Sequence, residues 1–313
     1  MGKDINNDNT FWIRFRSSVI LMVITIAAMV LGGYVLWGVS LIVTMIGLME
    51  LYRAASVHKT PAAFCGYLAG AAWYVLLLLG YIFRQSPEFK SVLYGQTDLS
   101  ALDTSLISGP AGIFDDERGL AILIAVFLAV LLAVYVFSFP KYHSDQITLV
   151  FFGLFYVAFT LSCIFRLRSM PGGAYTVWLI FVGSWGADTS AYMVGRKLGK
   201  TKIVPVLSPK KSLEGFIGGV IGAVLIGVIY ALIFKEQLLD SFTNPVLAFG
   251  IVGGVASLIS MVGDLAASAI KRDKGIKDYG KLIPGHGGIL DRFDSVIFVA
   301  PVVYYLVAFM SER

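Results

Sequence analysis

The stretch "SVILMVITIAAMVLGGYVLWGVSLIVTMIGLMEL", Ser18–Leu51, carries one charged residue, Glu50, in 34 positions, and has the pair Gly32-Gly33 near its middle. A bilayer's hydrocarbon core is about 30 Å thick and takes about 20 apolar residues of helix to cross. The run is therefore too long for one helix across, and the glycine pair predicts a break into two short ones. Similar apolar runs follow at about 61–83, 120–138, 147–165, 174–194, 214–234, 246–264 and 293–310. The pattern predicts an all-α, polytopic integral membrane protein with about nine transmembrane helices.

Composition agrees. Of 313 residues, 57% are hydrophobic and 14% are charged, whereas soluble domains are about 25% charged. That excludes an ordinary soluble globule. The net charge of +5 is accounted for by topology and calls for no nucleic-acid partner. With the N-terminus cytoplasmic, segments 1–18, 52–60, 139–146, 195–213 and 265–292 lie inside and hold 18 of the 25 Lys and Arg residues. The bias favours that orientation, with the C-terminus outside. Arg14 and Arg16 precede an apolar run too long for a cleaved leader, so the first span is expected to stay. Asn9 to Arg16, "NTFWIRFR", reads as an interfacial anchor. Cys65 and Cys163 both fall in apolar runs and read as small buried hydrophobes.

The chain changes character at about residue 173. Residues 1–173 read as lipid-facing scaffold helices whose loops carry no motif, and the acidic Asp115-Asp116-Glu117 reads as a solvated loop face. Residues 174–313 read as the catalytic region, with charges at span ends and within spans. Glycines 215, 218, 219, 222 and 227, and 250, 253 and 254, are expected to let helices pack closely in lipid.

Within "GSWGADTSAYMVGRKLGK", Gly183 to Lys200, Asp188 lies inside a span without a basic neighbour. An acid at that depth is costly and points to a cavity or an ion. Gly195, Gly199, Lys200 and Thr201 suggest a phosphate loop, but the spacing is one residue short and a helix precedes it, so that reading is rejected. In "LSPKKSLEGFIGG", Leu207 to Gly219, Ser208-Pro209 opens a turn and Pro209 suits a first helical position. Lys210 and Lys211 then serve equally as a phosphate clamp or as a positive-inside anchor, and Glu214 tilts the choice towards function.

The richest polar stretch runs from Met261 to Ser295. Asp264 ends a span; Lys271, Arg272, Lys274, Lys277 and Lys281 follow; Pro284, Gly285, Gly287 and Gly288 form a tight turn around His286. Asp291 and Asp294, three apart at a helix start, share a face. Carboxylates ringed by lysines at a membrane surface suit a divalent cation that bridges phosphates. Oxygen ligands with few His or Cys favour magnesium over zinc. Asp188, Asp264, Asp291 and Asp294 are the candidate ligands, and the residues leave a second cation open. The chemistry expected is phosphoryl or nucleotidyl transfer at the cytoplasmic face.

The stretch "SAIKRDKGIKDYGKLIPGHGGILDRFD", Ser268 to Asp294, resembles the signature of phosphatidate cytidylyltransferases, also called CDP-diacylglycerol synthases. Asp188 with Ala191-Tyr192, Gly195-Arg196, and Ser208-Pro209-Lys210-Lys211 through Glu214-Gly215 extend it, and Ser212 stands where threonine is expected. The resemblance covers about 174–295. It implies that the phosphate of phosphatidate joins CTP to give CDP-diacylglycerol and pyrophosphate, in phospholipid biosynthesis. It also implies a homodimer in the bacterial inner membrane with a cytoplasmic polar cavity, and it ties Asp264 and Asp291 to the metal.

On the two lines together, Asp264, Asp291, Lys271 and Arg272 are expected to be catalytic. Ser208, Lys210, Lys211, Glu214, Lys277, Asp278, His286 and Arg292 are expected to bind substrate. His286 either orients a phosphate or caps its turn. An Asp291→Asn variant is expected to lose CDP-diacylglycerol formation and stay folded. A CTP-dependent lipid kinase, or a cytidylyltransferase for another lipid phosphate, is the alternative within enzymes. An ion-coupled transporter would need an inverted repeat, and the sequence has none.

Overall fold

A computed structural model describes residues 4–85, 116–205, 207–285 and 287–311, without the side chains of 4–11, 13–15, 116 and 117. The reading of Asp115-Asp116-Glu117 and the role of His286 fall outside the described residues. What is described is mostly helical; β-type backbone pairing among the described residues is confined to two isolated bridges, Lys202 with Ser212 and Ile283 with Gly287. In lipid this is the expected solution, because a helix satisfies its backbone internally.

Seven described helices are long and apolar enough to cross a membrane: Gly33–Ala54, Pro61–Gln85, Arg118–Phe137, Ser144–Arg168, Leu213–Ile233, Pro245–Asp273 and Leu290–Ser311. The protein is thus an integral membrane protein by length and apolarity. The opening run divides where expected, into α1 (Asp4–Leu31) and α2 (Gly33–Ala54). Gly32 and Gly33 both take positive φ, +61° and +47°. Arg168 secures the break: its Nε donates to the Met29 carbonyl (2.9 Å) and one Nη to that of Val30 (3.3 Å). These carbonyls belong to the last turn of α1, which has no partners of its own. A side chain at Gly32 would meet the guanidinium at 2.9 Å.

Contacts divide the chain into two compact units, Met1–Ala54 with Thr160–Arg313, and Ala55–Phe159. These units follow packing, whereas the division at 173 follows the distribution of charge. In the second unit α3 (Pro61–Gln85), α4 (Asp116–Phe137) and α5 (Ser144–Gly153) pack around aromatic contacts, Phe127 stacking on Phe151 at 5.9 Å.

The first unit contains the polar residues of interest. After α6 (Thr160–Arg168), residues 173–186 form two four-residue helical turns and a π-helical segment, Val182–Gly186, before α7 (Ala187–Leu198). The span expected at 174–194 is therefore interrupted in its hydrogen-bond pattern alone, while the junction residues Val177, Val182 and Gly186 keep right-handed helical angles. Its hydroxyls bond back to the preceding turn, Ser184 to Ile180 O at 2.6 Å and Thr189 to Trp185 O at 2.7 Å, a habit that bends helices. The π segment ends two residues before Asp188, and such segments are frequent at functional sites.

Helices α8 (Leu213–Ile233), α9 (Pro245–Asp273) and α10 (Leu290–Ser311) complete the unit. The glycines act as expected. A Cβ on Gly219 would meet Ala187 O at 3.0 Å and one on Gly253 would meet Ala223 O at 2.9 Å, so α7, α8 and α9 touch backbone to backbone. Cys163 is buried, Cys65 half-buried, and no disulfide joins them.

Two boundaries move. The expected helix start at Pro209 is replaced by α8 beginning at Leu213, because Ser212 is extended and its hydroxyl accepts from Gly215 N–H (3.2 Å) as N-cap. Helix α9 does not end at Asp264 but runs on to Asp273, so Lys271 and Arg272 stand on its last turn. Nothing interrupts it before Gly275, whose φ of +67° closes the helix while Ile276 N–H bonds Lys271 O and Gly275 N–H bonds Arg272 O.

Candidate active site

Asp291 is the hub of the polar stretch. It is 6% exposed, and its carboxylate accepts from Lys271 Nζ (2.9 Å) on Oδ1 and from Tyr279 N–H (2.8 Å) and Gly288 N–H (2.9 Å) on Oδ2. One side chain thereby joins the end of α9, the 274–289 loop and the first turn of α10. The loop is shaped to reach it. Ile283 N–H bonds Gly287 O (2.9 Å), and Gly285 and Gly287 take φ of +77° and +87°, which only glycine adopts without strain. A Cβ on Gly287 would approach Asp291 Oδ2 to 2.9 Å.

Tyr279 was not singled out from the sequence, yet it closes this cluster. It is buried, its hydroxyl donates to Ala267 O (3.3 Å), and Lys271 Nζ stands 5.4 Å from its ring centroid. Glu50, noted only as the lone charge of the opening run, also belongs here: its carboxylate accepts from Ile289 N–H (3.1 Å) and Leu290 N–H (2.8 Å). An acid in a helical run near the N-terminus gives no sequence signal for a partner some 240 positions away.

A second cluster lies beside the first. Lys211 forms an ion pair with Asp264, and Asp188, Asp264 and Asp294 feel one another's charge, with Lys211 and Lys271 among them. Asp188 and Lys211 also line a cavity of about 370 Å³ between α7, α8 and α9, together with Arg196, Lys210 and Ser212. Its remaining wall is apolar, including Ala187, Phe216, Val220 and Met261. A chamber lined by cations, an acid and apolar side chains together suits an amphiphile with an anionic head.

The other expected residues fall outside these clusters. Glu214 accepts from the N–H groups of Lys200 (3.0 Å) and Thr201 (3.1 Å), so it ties down the loop before α8. That carboxylate holds the amides a phosphate loop would need free, in accord with the rejection of such a loop. Ser208 sits in a turn, its carbonyl accepting from Lys211 N–H (3.2 Å). Arg272, Lys277 and Asp278 are exposed. Arg292 is half-buried, and its buried Nε has no hydrogen-bond partner among the described residues.

For a metal, no three His, Cys, Asp or Glu groups among the described residues converge closely enough to enclose an ion. The acids present suit the other mode of binding, in which magnesium takes one or two carboxylates and completes its shell with phosphate oxygens and water.

Several known proteins share much of this sequence. Phosphatidate cytidylyltransferase of Bacillus subtilis is 35% identical over 190 residues, covering 60% of this chain and 68% of that protein. The enzyme of the same name from Staphylococcus saprophyticus is 35% identical over 210 residues, 66% of this chain and 77% of that one. That of Synechocystis is 42% identical over 143 residues, 46% of each. In that case the match spans under half of the relative's length. The profile of the cytidylyltransferase family matches residues 12–310, which takes in the opening helices as well as both polar clusters. A match that leaves only the chain ends outside places the whole of the described protein in one family: this chain belongs to the cytidylyltransferases.

Proposed function

We propose that the protein is a CTP:phosphatidate cytidylyltransferase that transfers CMP to phosphatidate, giving CDP-diacylglycerol and pyrophosphate. The observation that carries the reading is the acid–lysine cluster of Asp188, Lys211, Asp264, Lys271 and Asp294 at the edge of a half-apolar cavity. A nucleotide and a lipid headgroup are both anionic at phosphorus, and their acyl chains and bases differ most in polarity. A chamber lined by both charged and apolar side chains can bring such unlike substrates together.

In the reaction, a phosphate oxygen of phosphatidate attacks the α-phosphorus of CTP. The new P–O bond forms as the bond from that phosphorus to the oxygen bridging to the β-phosphate breaks, and pyrophosphate leaves. The nucleophile is already anionic, so positioning and charge neutralisation are the demands on the protein. Lys210, Lys211 and Arg196 face the cavity where they can seat the lipid phosphate. Asp291 holds Lys271 in place. One or two of the acids Asp188, Asp264 and Asp294 would hold magnesium, which would supply positive charge to the triphosphate.

The finer topology is part of the proposal: nine crossings, with the N-terminus and the site on the cytoplasmic face of the plasma membrane. Support comes from four points that meet at one end of the first unit. They are Glu50 late in α2, Lys211 just before α8, Asp264 on the last third of α9, and Leu290 at the start of α10. Between α2 and α8 lie three long apolar helices and the interrupted 173–198 segment. Their ends return to the same side only if that segment also crosses. A homodimer rests on the family resemblance.

The test is direct. Purified full-length protein is given labelled CTP, phosphatidate and magnesium, and the products are resolved. CDP-lipid with pyrophosphate is expected. Phospholipid with CDP would make the protein a kinase instead.

A further inference from the structure

We infer that Glu50, on α2, is a positioning residue for the catalytic loop and the first turn of α10; this rests on the activity proposed above. Glu50 is 2% exposed, as deeply buried as any acid described. A carboxylate buried in a membrane helix is costly and is retained where its charge is used. Here it faces the N-terminus of α10, whose first N–H groups have no helical partners. Its Oε1 takes Ile289 N–H and its Oε2 takes Leu290 N–H, so both oxygens are engaged by consecutive backbone amides.

The loop is built to admit that carboxylate. A Cβ on Gly288 would press on both Glu50 oxygens, at about 2.5 Å, and one on Gly280 would meet Oε1 closer still. Gly288 has an ordinary φ, so turn geometry does not require glycine there; the room for Glu50 does. Two positions of the 280–288 segment are thus kept bare by a side chain from the other end of the sequence. Asp291 stands one position beyond Leu290, and its Oδ2 takes Gly288 N–H. Glu50 therefore fixes the same peptides that present Asp291, Arg292 and Asp294. Arg53, one turn along α2, and Asp291 are the charges that face it.

A Glu50→Gln side chain offers one acceptor where two amides need one each, and turns its own NH2 against the other. Glu50→Ala offers none. The expected order of kcat, per folded molecule, is wild type above E50Q above E50A. Displacements of about 1 Å at reacting groups cost on the order of 100-fold, so E50A is expected to fall by about that factor. Two further readouts separate positioning from general loss of structure. Chymotrypsin cleavage after Tyr279, which is 3% exposed in the native protein, is expected to accelerate in E50Q well below its thermal midpoint. Gly288→Ala is expected to reproduce the E50Q defect with Glu50 intact, and to add little in the E50A background, where the clash is gone.

The inference is overturned if E50Q keeps wild-type kcat. It is overturned equally if E50Q loses activity only in step with its folded fraction and Tyr279 stays protected, or if G288A costs as much in E50A as in wild type. If E50Q does not accumulate, G288A alone decides by the same cleavage assay. Failure of the wild type to form CDP-lipid would refute the proposed activity, whereas cleavage at Tyr279 is read without any turnover.

Discussion

The two acids expected to matter most are held in different ways, and their variants are expected to separate. Asp291 pairs with Lys271 where the side chains are 2% and 12% exposed. Removing one partner of a buried pair costs about 3–5 kcal/mol, and Asp291 also anchors two loop amides. Asp291→Asn is therefore expected to lose both activity and several degrees of thermal midpoint in detergent. This differs from what spacing alone implies, a folded but inactive protein. Asp264 pairs with Lys211 at 29% and 21% side-chain exposure, with the Lys211 Nζ itself buried, and it anchors no loop amide. Asp264→Asn is expected to lose CDP-lipid formation with a smaller loss of midpoint than Asp291→Asn. If the D264N protein turns over normally, Asp264 has no part in the site; if D291N melts like wild type, the hub role of Asp291 is wrong.

Elements were legible wherever local chemistry decided them. Gly32-Gly33 announces its break because a positive φ is a property of those residues, and Gly285 and Gly287 announce their turn for the same reason. The end of α9 was misplaced because Asp264 is polar but is no helix breaker, and polarity alone does not stop a helix. The roles of Glu50 and Arg168 were not legible, since each depends on a partner far along the chain. The glycines of α8 lie between these cases: their spacing signals close packing, but not against which helix. Gly219→Val tests the partner. Its branches would meet the backbone of α7, and overpacking costs about 1–3 kcal/mol. Prising α7 from α8 also opens the cavity they line, so KM for the lipid is expected to rise along with the loss of stability. Gly38→Ala on α2, with nothing within 4 Å of its added Cβ, is the matched control and is expected to behave as wild type.

At the scale of the whole molecule, the site is an argument about sidedness. CTP is made of water-soluble groups and must arrive from one aqueous face, so every residue that neutralises it has to emerge on that face. Charge bias assigns the 195–213 and 265–292 segments to the inside, and the Lys211–Asp264 pair independently brings them to one end. Two helices separate these segments, so they share one face in any case; the interrupted 173–198 segment decides whether that face is also the one on which 52–60 and 139–146 lie. Single cysteines at Lys59, Lys141, Lys202, Lys274 and Asp240, in a chain with Cys65 and Cys163 replaced by Ala, put this to a test with a membrane-impermeant maleimide. The first four are expected to label in inside-out vesicles but not in intact cells, and position 240 to label in intact cells. Labelling of 141 and 202 from opposite faces would mean that 173–198 does not cross. The helix count would then drop, and the second cluster would have to be reached from the far side of the membrane.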